Sequence, residues 1–246
     1  MAMPAEEATP PGAESSIVRL LWDDAPRVKR GPKPKLTIEQ IVVMGIALAD
    51  EDGLDAVTMQ RVADRLGATK MALYRYVPGK AELVALMLDH ALGSPDPIGD
   101  IPWRAALNRW ALGIHERSRL RPWSVELVQR PHPPGPRELA WLELGLSAMS
   151  GLPLAGGEKL DVLALLVGHV VGIVRQATQS AAPESELAAA LAPILAARMD
   201  AFPHTAAAFA ESGAESRDDA LSFGIERILD GIAFVIAERS RSAGAS

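Results

Sequence analysis

The 246-residue chain is predicted to be all-α, with an N-terminal helix-turn-helix unit and a larger helical body behind it. Three observations predict this. From Thr37 onward apolar residues recur at intervals of three and four, and no run shows the period-two alternation of a strand. Thr precedes and Gly or Pro follows successive apolar stripes, which is helix punctuation. Charge is also divided: residues 27–80 hold 10 basic and 6 acidic side chains, a net +4, so a whole-chain charge of −6 leaves −10 for the rest. A basic module on an acidic body implies two tasks in two regions.

Residues 1–35 read as a flexible arm. The opening MAMPAEEATPPGAESS is acidic and Pro-rich and has neither the positive nor the apolar region of a signal peptide. Pro26 to Lys35 carries Arg27, Lys29, Arg30, Lys33 and Lys35 among prolines that forbid helix and favour an extended strand. Such a strand can follow phosphates into a minor groove, or can serve as a solvated linker.

Residues 36–93 form the helix-turn-helix unit. Thr37 and Gln40 make a capping-box pattern for a first helix with the stripe Ile38, Ile41, Val42, Gly45, Ile46 and Ala49, which ends at Asp52-Gly53. Thr58 caps a short second helix with inward Met59, Val62, Ala63 and Leu66, and Gly67 permits a sharp exit. Thr69 caps the third, Pro78-Gly79 closes it, and a fourth carries Leu83, Val84, Met87, Leu88 and Ala91. Two short helices joined at Gly67 have helix-turn-helix proportions, so the exposed TKMALYRYVPGK helix is placed for the major groove. Gln60 and Lys70 can hydrogen-bond base edges. Tyr74 and Tyr76 can reach phosphates or sugars, and Lys80 stands where a helix start meets phosphate. A capped surface helix with solvated charges fits the same spacing.

The Pro/Gly-rich stretch from Gly93 to Pro102 is a boundary, and residues 102–239 are the second body. Trp103, Leu107, Trp110 and Ile114 resume the helical period. A short segment around Trp123 follows, then the loop RPHPPGP and a helix of about 14 residues from near Arg137. Leu160–Gln179, Ser185–Met199 and Arg217–Arg239 complete the body. The first and last of these are apolar around much of their circumference. Burial between a core and a partner copy explains that breadth, as does burial inside a monomer. Gly168 and Gly172, one turn apart, suit close backbone approach.

Other classes leave no mark on the sequence. No Cys occurs, which removes disulfides and thiolate metal sites and suits the cytoplasm. No two of the 5 His stand at helical metal-ligand spacing, so neither metal nor cofactor is expected. No nucleophile with a base, paired carboxylates or phosphate-cradling glycine loop is visible. The apolar run Val162–Val174, interrupted by His169, is shorter than the roughly 20 residues of a membrane span.

Residues 36–93 resemble the DNA-binding domain of the tetracycline-repressor (TetR) family almost throughout. The resemblance lies in the Gly53-Leu54-Asp55-Ala56-Val57-Thr58 link, Arg61-Val62-Ala63, Leu73-Tyr74 and the closing Lys80. It implies phosphate contacts for Thr58, Thr69, Tyr74, Tyr76 and Lys80, and base contacts for Gln60, Lys70, Met71 and Ala72. Over the rest of the chain it rests on helix order, and it implies a homodimer with a ligand pocket. Trp103, Trp110, Trp123 and Trp141, with His115 and His169, are the pocket candidates, suited to a flat apolar or aromatic effector. Leu127 stands where family members that bind a tetracycline-magnesium chelate place a histidine, so that ligand is not implied. The implied function is a ligand-responsive regulator, most simply a repressor on a palindromic duplex operator. A ligand-independent DNA binder or an activator fits the same residues.

Overall fold

The computed structural model describes residues 11–23, 36–179, 183–212 and 220–244. Every regular element among them is helical, and they divide into two units. The first holds α1 (Pro11–Trp22), α2 (Ile38–Asp52), α3 (Met59–Arg65), α4 (Lys70–Tyr74), α5 (Lys80–Leu92), α7 (Trp123–Val128) and α8 (Pro136–Ser147). The second holds α6 (Trp103–Leu120), α9 (Gly156–Gln179), α10 (Pro183–Arg198), α11 (Pro203–Ser212) and α12 (Ala220–Gly244).

The first unit starts its helices where the side chains dictate. Thr37 accepts the Gln40 backbone N–H at 3.1 Å, and the Gln40 side chain accepts the Thr37 N–H at 2.9 Å, a complete capping box. Gly53 ends α2 at φ 82°, in the left-handed region that glycine alone enters freely. Ile41, Leu48, Val57, Val62, Leu73, Val77, Leu83 and Met87 make a sealed core, each such burial contributing about 1.5–3 kcal/mol. Gly45 lets α5 approach α2, because a Cβ there would lie 2.8 Å from the Met87 sulfur.

Within residues 1–35, expected as a flexible arm, Pro11–Trp22 is helical and packs on α5 with Ile17 buried. Pro11 occupies the first helical position, where its missing N–H costs nothing. The helix gains its stability from a face that only tertiary contact supplies. Arg27, Lys29, Arg30, Lys33 and Lys35 lie outside the described residues.

In the second unit α9 packs on α6 and α12, burying Val162, Leu163, Leu166, Val170, Val171 and Val174. It starts before Leu160, because Glu158 turns back to accept the Ala155 N–H at 2.7 Å. At 24 residues it is long and apolar enough to cross a membrane by length and composition, a longer element than the Val162–Val174 run suggests. Arg239 of α12 grips Glu158 with an Nη1–Oε2 bond of 2.6 Å and holds that carboxyl down at about 2. Arg104 of α6 donates to Glu226 and, at 2.6 Å, to Asp230, which fastens α6 to α12. Pro203–Ser212 is a helix with no counterpart in the sequence reading; its three-alanine run and single aromatic offer little periodicity.

Candidate nucleic-acid interface

Thr58 accepts the Arg61 N–H and Thr69 accepts the Ala72 N–H, both at 3.2 Å, so each hydroxyl starts a helix. Each hydroxyl keeps its own O–H to donate, so capping and phosphate contact are compatible. Gly67, at φ 62°, makes the turn between α3 and α4. Of the five residues of α4 only Leu73 is buried. Lys70, Met71 (74% exposed) and Tyr74 are exposed, and the Lys70 ammonium lies 5.6 Å from the Tyr74 ring centroid.

The other expected contacts divide. Gln60 is exposed on α3, where Asp64 accepts its amide at 2.8 Å, an i,i+4 pair that sets the side chain along the helix. Lys80 is exposed at the first position of α5. Ala72 and Tyr76 are half-buried, and the Tyr76 side chain packs on the core. Two of the counted cations serve the scaffold: Arg61 pairs with Asp52 and Arg65 with Glu51, at 2.5 and 2.6 Å. The Arg65 hydrogen bond holds the Glu51 carboxyl below its usual range. Their spacings of nine and fourteen residues cross between helices, so no helical periodicity reveals them.

The aromatic and histidine candidates fall in both units. Trp123 packs on the helix-turn-helix core and donates its indole N–H to Asp50 at 2.6 Å. Buried Trp141 donates to the Gly93 carbonyl at 3.0 Å, and Leu127 is buried in α7. Trp103, half-buried, and Trp110, buried, lie on α6 with half-buried His115, whose imidazole burial pushes below its usual value. His169 Nε2 meets the Leu221 carbonyl at 3.0 Å, and its ring lies on Gly224, joining α9 to α12.

A capped two-helix turn on a sealed core, with a basic-aromatic helix facing outward, defines a helix-turn-helix DNA-binding protein. The chain also matches two family descriptions: "Bacterial regulatory proteins, tetR family" over residues 41–87 and "Tetracyclin repressor-like, C-terminal domain" over 95–236. It is 34% identical to the HTH-type transcriptional repressor DrrR1 of Streptomyces coeruleorubidus, over 95% of this chain and 90% of that one. An HTH-type transcriptional regulator of Saccharopolyspora erythraea is 28% identical over 77% of this chain and 82% of its own length. The TetR-family protein ActR of Streptomyces coelicolor, solved with actinorhodin, shares the fold: TM-score 0.74 at 21% identity, over 85% of this chain and 100% of that one. The chain belongs to the tetracycline-repressor family of transcriptional regulators, not to a class of enzymes.

Proposed function

We propose that the protein is a dimeric repressor that reads a two-fold operator through α4 and releases it when a flat apolar or aromatic molecule binds. The observation carrying this reading is α4 itself, which buries Leu73 and spends Lys70, Met71 and Tyr74 on the outside. Met71 offers an apolar group between the polar ones, and the thymine methyl group is the base feature that suits it. Lys70, Met71, Ala72 and Gln60 are assigned to bases. Thr58, Thr69, Tyr74, Tyr76 and Lys80 are assigned to phosphates. Repression follows the relative named as a repressor, and the cytoplasm, where a duplex operator would be met, is the proposed site of action.

Lys70→Ala is expected to reduce discrimination among operator variants by about 1–3 kcal/mol per affected base pair, whereas Lys80→Ala weakens every duplex by a similar factor. Binding titrations against a panel of single-base variants check this. Identical profiles for the two substitutions refute the division of roles.

Dimerisation is assigned to α9 and α12. Leu165, Gly168 and Gly172 share an exposed face of α9, and Phe223, Gly231 and Phe234 one of α12. No described residue would meet a Cβ at Gly168, Gly172 or Gly231, so among the described residues that face is open to a second copy.

The effector is assigned to α6, which carries Trp103, Trp110 and His115. ActR in complex with actinorhodin and a TetR of Acinetobacter baumannii in complex with minocycline make aromatic antibiotics the first probes. In tryptophan-fluorescence titrations the operator should weaken effector binding by the factor, about 5–150, by which effector weakens operator. An effector affinity indifferent to operator removes the switch.

A further inference from the structure

Helix α3 divides its surface by partner. Met59, Val62 and Ala63 are buried in the core, while Arg61 and Arg65 turn toward the last turn of α2, where they meet Asp52 and Glu51. Gln60 and Asp64, one turn apart, make a separate exposed face. On it Asp64 Oδ1 accepts the Gln60 Nε2 amide at 2.8 Å. Both neighbouring guanidinium groups are committed to α2, and among the described residues no ion pair neutralises Asp64.

A lone carboxylate beside a base-reading side chain repels phosphate and so lowers affinity for every duplex. What it supplies is orientation. A carboxylate only accepts, so the amide turns its NH2 end to Asp64 and its Oε1 away. One Nε2 hydrogen is then committed, and Gln60 presents one donor and one acceptor outward. In the major groove adenine offers the matching pair, an N7 acceptor beside an N6 donor, whereas guanine offers two acceptors, N7 and O6. Reading guanine would take both amide hydrogens and leave the Asp64 charge without its donor.

Solvent decides how firmly the pair holds. On the free surface an i,i+4 bond of this kind is weak, because water competes for both ends. Against a base edge that water is displaced, and a hydrogen bond to a charged group becomes far more costly to leave unmade. We propose that Asp64 is a positioning residue that fixes the Gln60 amide for adenine and against guanine at the base pair Gln60 reads. The inference rests on the base-reading role proposed for Gln60, and Asp64 acts through that side chain without touching the base.

Binding titrations of the full chain test it, with a duplex selected from a random library and the single-base variants of that duplex. Gln60→Ala maps the base pair read from α3, as the position where discrimination falls, and Lys70→Ala maps those read from α4. At the Gln60 position the wild type should prefer an A·T pair over the G·C pair with guanine in place of adenine by about tenfold or more. Asp64→Ala should cut that preference to about threefold or less. It should also strengthen binding to unrelated duplex, because a negative charge has left the interface. Asp64→Asn keeps an acceptor but can turn its own NH2 to the amide, so its preference should fall between the two. Discrimination at the Lys70 positions should stay within about twofold of wild type in both variants. A wild-type preference for G·C at the Gln60 position, or an A·T preference that survives Asp64→Ala, overturns the proposal. Equal losses at the Gln60 and Lys70 positions make Asp64 a structural residue and overturn it as well. If Gln60→Ala alters discrimination nowhere, Gln60 reads no base and the proposal falls with that reading, while the role of α4 is judged by Lys70→Ala alone.

Discussion

Gly224→Ala is expected to destabilise the second unit by about 1–3 kcal/mol, seen as a fall of roughly 3–10 °C in melting temperature. A Cβ at that position would stand 2.2 Å from both Cε1 and Nε2 of His169, and the ring cannot swing away without breaking its 3.0 Å bond to the Leu221 carbonyl. The contact joins α9 to α12, the pair to which dimerisation is assigned, so the variant should also shift toward monomer in light scattering. His169→Ala alone loses one hydrogen bond and some packing. Combined with Gly224→Ala it should be no worse than it is alone, because the clash has gone. Additive losses in that double-mutant cycle would show that the two positions do not oppose each other.

Replacing Arg27, Lys29, Arg30, Lys33 and Lys35 with Gln should flatten the salt dependence of operator binding. A dimer brings ten such cations. If half displace counterions, the slope of log K against log salt falls by roughly 4–5 units, or about 10²–10³ in affinity over a fourfold rise in salt. Substitution is the required design, because deleting residues 1–35 would also strip α1 from α5 and confound loss of charge with loss of packing. Arg61 and Arg65 stay out of this count, being already paired with Asp52 and Glu51. A quintuple variant with the wild-type slope would reduce the segment to a tether.

What was legible in the sequence was local. Thr37, Thr58 and Thr69 cap their helices as their spacing predicts, and Ile41, Val42, Ile46, Val62, Leu83 and Met87 line the core. These features follow from neighbours three or four residues away, which periodicity records. What the sequence concealed depends on partners far along the chain. Helix α1 needs α5, Trp123 reaches back to Asp50 across 73 residues, and His169 finds α12 across 52. Asp89 and Arg137, 48 residues apart, resemble any other surface acid and base until the fold brings them together.

The economy of α4 has a consequence for how such a protein changes over generations. Leu73 alone of its five residues is fully buried, and the helix is held by Thr69 at one end and Leu73 near the other. Surface substitutions of this kind usually alter stability by no more than about 0.5 kcal/mol. Lys70 and Met71 can therefore be exchanged with little effect on folding, while Gly135, Gly224 and Gly45, each pressed against a neighbouring side chain, cannot. A duplicated copy could acquire a different genomic address before its scaffold had to change at all.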